Sequence, residues 1–179
     1  MRILTLMRHA KSGLADRGVR DFDRPLNRRG AQAARAMGRE IRALGLGFDA
    51  VIASPAVRVV ETVEGVAEGA SRALHPTYDR RIYLAPLALL LDLVRETDDS
   101  VRRLLLVGHN PGCALLASLL AGSGDEVLRT RLAEQYPTGA LAEIGFEVAH
   151  WREIEPQAGA LARFIRPRDL DGAADGEED

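Results

Sequence analysis

Ile3-Leu4-Thr5-Leu6-Met7-Arg8-His9-Ala10-Lys11-Ser12 is an apolar run that ends abruptly in an arginine and a histidine, an ending that packing alone does not explain. The residues from Ile3 to Met7 fit a short buried strand bounded by a sharp switch to polar residues. Arg8 and His9 therefore fall at the strand's C-terminal end, the edge of an open α/β sheet where ligands bind. Their position alone makes them candidates for chemistry.

Working outward, the same alternation recurs. Ala10 to Pro25 is polar, contains Gly13, Gly18 and Pro25, and reads as a long functional loop. Asn27 is expected to cap a helix whose apolar positions Ala34, Met37, Ile41 and Leu44 lie on one stripe, with Gly45 as its stop. Phe48 to Ala53 reads as a second buried strand. Ser54 as N-cap and Pro55 at the first helical position then open a helix running to about Glu68. A short strand is expected near Leu74 to Tyr78, and Leu87, Leu90, Leu91 and Val94 predict a helix over Pro86 to Glu96. Arg103 to Val107 is a strong strand signal that runs into Gly108-His109-Asn110-Pro111-Gly112 and a helix from Pro111 to Leu120. Ala140 to Phe146 and Gly159 to Ile165 read as two later strands, with Trp151 between them packing at the edge of the core. Strands alternating with helices predict an α/β fold, a three-layer sandwich with a mainly parallel central sheet flanked by helices.

Composition sets the class. A chain of 179 residues, 46% hydrophobic and 28% charged, suits one globular domain. That domain is expected over residues 1–170, followed by an acidic tail, 171–179, with no hydrophobic face and expected to be disordered. The longest apolar run, around Leu87 to Leu91, is far below a membrane span, the apolar stretch before Arg8 is too short for a signal peptide, and Cys113 is the single cysteine. A cytoplasmic protein without disulfides or membrane association is expected. Net charge is −2, yet Asp169 to Asp179 carries six acids and no base, which leaves a body with 24 basic and 20 acidic residues. No basic block stands out, so nucleic-acid binding is not expected. Lys11 is the only lysine and lies two residues after His9.

Three strand-to-helix junctions each present a cation or an imidazole: Arg8-His9, Arg58 and His109. In a mainly parallel sheet these strand ends share one edge and converge. Arg58 lies in the opening turn of its helix, where the helix dipole opposes a cation, so helix stability does not account for it. Asn110 and Pro111 repeat the cap-and-proline arrangement and place His109 just ahead of a positive helix end, an environment suited to an anion and to neutral imidazole.

These residues resemble the histidine phosphatase superfamily, and within it the small bacterial phosphohistidine phosphatases of the SixA kind. The resemblance is carried by Leu6-Met7-Arg8-His9, Asp23-Arg24-Pro25-Leu26-Asn27-Arg28-Arg29-Gly30, Ser54-Pro55-Ala56-Val57-Arg58, Val107-Gly108-His109-Asn110-Pro111-Gly112, Pro137-Thr138-Gly139-Ala140 and Trp151, and covers roughly residues 1 to 168. It implies a phosphoglycerate mutase-like fold and a phosphatase that works through a phosphohistidine intermediate without metal or cofactor. His9 matches the nucleophile, and Arg8, Arg58 and His109 match the groups that hold the phosphoryl oxygens, a charge arrangement suited to phosphoryl transfer. Lys11, Ser12 and Asn110 are candidates for touching the substrate, and Asp23 and Arg24 for anchoring the loop. The expected substrate is a phosphohistidine protein. The alternatives are a small phosphorylated metabolite, as monoester or nucleotide, and, from another class, a non-catalytic phospho-ligand sensor.

Two departures stand out. The family's glycine after Arg-His is Ala10 here, which a position requiring positive φ would resist. The relatives' general-acid glutamate is missing from Arg81 to Pro86, where Asp79 and Asp92 are the nearest carboxylates. A phosphohistidine substrate carries an imidazole leaving group that can be protonated before it departs, so the missing glutamate favours N-phosphorylated substrates. Cys113 lacks an arginine at cysteine-phosphatase spacing and reads as a buried helix residue. His75 and His150 match no motif position and read as structural. Phosphate-loop, zinc-pair and dinucleotide signatures are absent from the sequence.

Overall fold

The computed structural model describes residues 1–13 and 18–170. The tail 171–179 and part of the loop after Ala10 lie outside the described residues. The chain runs β1 (Arg2–Arg8), α1 (Arg28–Ala43), β2 (Ala50–Ala53), α2 (Val57–Ala70), β3 (Thr77–Tyr78), α3 (Leu87–Arg95), β4 (Arg103–Gly108), α4 (Gly112–Leu120), β5 (Ala121–Gly124), α5 (Glu126–Glu134), β6 (Leu141–Phe146) and β7 (Gly159–Ile165). Single 3-10 turns add Asp21–Asp23, Arg80–Ile82, Trp151–Glu153 and Pro167–Asp169.

The strands form one seven-stranded sheet in the order β3-β2-β4-β1-β6-β7-β5. β6 pairs antiparallel with both β1 and β7, and the other pairings are parallel, so the sheet is mixed and mainly parallel. Strand periodicity assigns the two faces. Leu4 and Leu6 of β1 with Leu104 and Leu106 of β4 pack under α3, α4 and α5, through Leu90, Leu116 and Leu132. Met7, Leu105 and Val107 face the other way, against Met37 and Ile41 of α1 and Val59 and Val63 of α2. The three-layer α/β/α sandwich is the one expected.

α1 and α2 touch backbone to backbone. A Cβ on Gly38 would lie 2.2 Å from the Val66 carbonyl oxygen, and one on Gly69 would lie 2.0 Å from that of Arg35. Asn27 caps α1 as predicted, its Oδ1 accepting from Gly30 N at 2.8 Å.

Several expectations are corrected. The strand expected from Leu74 shrinks to Thr77–Tyr78, because His75 takes φ of 45° and Pro76 follows. The strand expected from Phe48 begins at Ala50; the Asp49 carboxylate accepts from the backbone N–H groups of Arg102 and Arg103 instead. β5 and α5 are elements that the sequence patterns above do not predict. Ala121-Gly122-Ser123-Gly124 has no strand-forming side chains, yet a Cβ on Gly122 would stand 1.8 Å from the Gln157 carbonyl oxygen, so the close approach that selects glycine also hides the strand. Trp151 lies wholly inside the core rather than at its edge, and its indole N–H donates to the Val101 carbonyl at 2.7 Å. Among the described residues, no helix is long and apolar enough to cross a membrane.

Candidate active site

Register brings the site together. Arg8 pairs with Gly108, and Ala53 pairs with Val107, so the next residues His9, His109 and Ser54 emerge side by side from β1, β4 and β2. The backbone continues the ladder one step further, with His9 N–H on the Gly108 carbonyl at 3.0 Å and Ser54 N–H on that of Val107 at 3.1 Å. Gly139 N–H closes over the end of β1, reaching the carbonyls of Arg8 at 3.1 Å and His9 at 2.9 Å. Arg58, the second residue of α2, reaches in from the side.

Ser54 does not cap that helix, which begins at Val57 with Ala56 at the N-cap position. The Ser54 hydroxyl turns inward to His109 Nε2 at 2.8 Å. Asn110 is no cap either: its Nδ2 donates to the Tyr136 carbonyl at 2.9 Å, and α4 starts at Gly112.

The core of the site is a buried guanidinium between two imidazoles. Arg58 Nε donates to His9 Nε2 at 3.3 Å, and Arg58 Nη2 lies 3.2 Å from His109 Nδ1. The two rings stand 5.3 Å apart between centroids. A guanidinium only donates, so both facing nitrogens must carry lone pairs. The distal nitrogens then hold the protons: His9 Nδ1–H donates to the Ala10 carbonyl at 2.7 Å, and His109 Nε2–H donates to Ser54.

Burial, reinforced by Arg58 and Arg8, pushes His9 down to about 4. Burial, Arg58 and His9 push His109 down to about 3. Both imidazoles are neutral at pH 7. Arg8 is also partly desolvated; its Nη1 donates to the Tyr136 carbonyl at 2.9 Å, and its Nε is buried without a partner.

A carboxylate that the sequence reading missed completes the group. Asp21 accepts from Arg58 Nη2 at 3.0 Å through Oδ2 and from Arg58 Nη1 at 2.6 Å through its backbone carbonyl. The Tyr83 hydroxyl donates to the same Oδ2 at 2.7 Å, and its ring stands edge-on to His109 with centroids 5.3 Å apart. Tyr83 and Arg58 hold the Asp21 carboxyl down at about 2, so it is ionised at neutral pH. The only sequence signal for Asp21 was its place in a long loop after the Arg-His pair.

The other candidates divide. Arg24 donates to Ser12 Oγ at 3.0 Å, to the Gly13 carbonyl at 2.6 Å and to Asp21 at 3.1 Å, so it anchors the loop as expected, with Ser12 accepting from it and keeping its own hydroxyl proton. The Lys11 side chain is exposed, and its carbonyl accepts from Asn27 N. No hydrogen bond among the described residues joins the side chain of Lys11 or Ser12 to His9, Arg58 or His109. Asn110 gives one N–H of its amide to Tyr136, and its buried Oδ1 has no partner among the described residues.

Asp79 is taken up by Arg81, and Asp92 is exposed on α3. Ala10 is not among the residues with positive φ, so the alanine meets no strain there. Cys113 is fully buried in α4, and burial pushes its thiol up to about 12. Among the described residues, no three His, Cys, Asp or Glu side chains gather as a metal site.

A profile of the histidine phosphatase superfamily (branch 1) matches residues 4–82. A protein of Mycobacterium tuberculosis (strain H37Rv), itself uncharacterized, is 37% identical over 164 residues, covering 90% of this chain and all of that one. Among solved structures, a putative phosphohistidine phosphatase SixA from Agrobacterium tumefaciens matches with TM-score 0.78 and 26% identity over 93% of this chain and 98% of that one. A putative SixA from Nakamurella multipartitia matches with TM-score 0.77 and 26% identity over 93% and 96%.

Proposed function

The chain belongs to the histidine phosphatase superfamily, in its SixA-like part, and is a phosphatase; from that premise we propose that His9 is its nucleophile and a phosphohistidine protein its substrate. The observation that carries the assignment is the pair of contacts made by the two ring nitrogens of His9. Its Nδ1 proton is committed to the Ala10 carbonyl at 2.7 Å, which leaves the Nε2 lone pair facing Arg58.

Neutral Nε2 attacks phosphorus in line, the bond from phosphorus to the leaving nitrogen breaks, and the Ala10 carbonyl stabilises the imidazolium that forms on His9. Arg58 and the unpaired N–H of Arg8 meet the equatorial oxygens with charge-assisted hydrogen bonds. His109 Nδ1 joins them once, beside the phosphoryl dianion, it takes up a proton from solvent and gives up its contact with Arg58 Nη2, whose N–H turns to the phosphoryl oxygens. Water then hydrolyses the phosphohistidine, and the charge balance is met without a metal.

The leaving group bears on the choice between substrate classes. Asp21, the carboxylate in contact with Arg58, is ionised and makes a poor proton donor. An imidazole leaving group can arrive already protonated, whereas an alkoxide cannot, and this favours phosphohistidine over small monoesters and nucleotides.

Incubation with a 32P-labelled phosphohistidine protein should release orthophosphate in the presence of chelator and leave acid-labile phosphate transiently on His9. His9→Ala should abolish both signals, and Arg58→Ala should lower turnover by orders of magnitude. Full activity in His9→Ala would overturn the nucleophile. A higher kcat/KM for sugar phosphates or nucleotides than for the phosphohistidine protein would instead establish the monoester reading.

A further inference from the structure

Thr62 sits one helical turn beyond Arg58 on α2 and is wholly buried. Its hydroxyl proton goes to the Arg58 carbonyl at 2.6 Å, the usual back-bond of a helical threonine. That leaves its oxygen free to accept, and what it accepts is the backbone N–H of Ala10 at 2.9 Å, from a residue that is also fully buried. The carbonyl of the same Ala10 receives the Nδ1 proton of His9. A single hydroxyl thus ties the helix that supplies Arg58 to the residue whose carbonyl sets the proton on His9.

We propose that Thr62 is a positioning residue that holds His9 in its nucleophilic tautomer by fixing the backbone of Ala10. This rests on His9 being the nucleophile. Which nitrogen of a histidine carries the proton is set by the hydrogen bond the other nitrogen makes. Without the Thr62 hydroxyl, the Ala10 N–H is left buried and unpaired, a cost that drives local rearrangement. Once the Ala10 carbonyl turns away, Nδ1 loses its acceptor and the proton redistributes to Nε2. A proton on Nε2 has no acceptor on Arg58 and removes the lone pair that attacks phosphorus. The Thr62 hydroxyl bonds only the Ala10 N–H and the Arg58 carbonyl and makes no hydrogen bond to the His9 ring, so its effect falls on the reactive form of the nucleophile and not on substrate binding.

The test uses the full chain with 15N-labelled histidine, comparing the wild type with Thr62→Val, Thr62→Ala, Thr62→Ser and His9→Ala. Side-chain 15N shifts report the His9 tautomer at pH 7, turnover of a phosphohistidine protein gives kcat and KM, and thermal unfolding confirms the fold. The wild type should show the proton on Nδ1. Thr62→Val, or Thr62→Ala if the valine variant does not fold, should shift proton density to Nε2 and lower kcat by about 10²-fold, the scale of a small misplacement of a reacting group, with KM little changed. Thr62→Ser should restore both the tautomer and most of kcat.

A wild-type proton on Nε2, or a hydroxyl-less variant that keeps both the Nδ1–H form and its turnover, would overturn the proposal. Loss of kcat in the serine variant with the tautomer intact would overturn it too, by assigning the effect to the methyl group. Full turnover in His9→Ala would sink the nucleophile assignment instead, and the tautomer readout would still judge the link from Thr62 to His9.

Discussion

At the scale of single residues, the site stores its chemistry as two neutral imidazoles. Arg58 can only donate, so the lone pairs of His9 Nε2 and His109 Nδ1 converge on it, while Ala10 and Ser54 take the two protons at the far sides of the rings. Desolvation beside the guanidiniums keeps them neutral. A histidine NMR titration of the free protein should therefore show midpoints near 4 for His9 and near 3 for His109. A midpoint near 6.5 for either would mean that its ring is solvated. His9, Arg58 and His109 were legible in the sequence because each has a fixed place relative to a strand end. Asp21 and Tyr83 were not, because their place depends on how a loop folds back across the sheet edge, and no local pattern encodes that.

At the scale of elements, the position of Arg58 depends on how closely α2 lies against α1. Glycines at the crossing let the backbones meet, with Gly38 over the Val66 carbonyl and Gly69 over that of Arg35. A methyl group at either site collides with backbone, which cannot yield as a flexible side chain does. Gly69→Ala should thus destabilise the fold by about 1–3 kcal/mol, the usual cost of overpacking, although alanine is the better helix former. Chemical denaturation measures this, and unchanged or increased stability would show that the helices separate freely. The stripe of α1 and its Asn27 cap were readable from spacing. The glycine contacts were not, since helical glycine reads locally only as a weak point. β5 escaped notice for the same reason.

At the scale of the whole molecule, gathering two uncharged histidines at one sheet edge has a cost in acid. Each has a folded pKa below its unfolded value near 6.5, so the unfolded chain binds more protons as pH falls from about 6.5 toward 4 for His9 and 3 for His109. Stability falls through that window by up to about 1.4 kcal/mol per pH unit for each histidine. Asp21 acts later: its stabilising contribution is present above 3.8 and is lost as pH falls toward about 2. Between pH 7 and 5 the melting temperature of the wild type should drop more steeply than that of a His9→Asn, His109→Asn double variant. Equal slopes would place the acid sensitivity elsewhere. The sequence by itself determined the alternation of strands and helices, the mainly parallel sheet and the strand-end positions of Arg8, His9 and His109, because hydrophobic periodicity and chain order are local properties. Only the tertiary structure decided the tautomers, the turning of Ser54 away from its helix toward His109, the clasp of Asp21 and Tyr83 on Arg58, and the link from Thr62 to His9. Apart from the carbonyl of the adjacent Ala10, which takes the His9 proton, these are contacts between residues far apart in the chain, made where strand register and helix packing bring them within hydrogen-bonding distance.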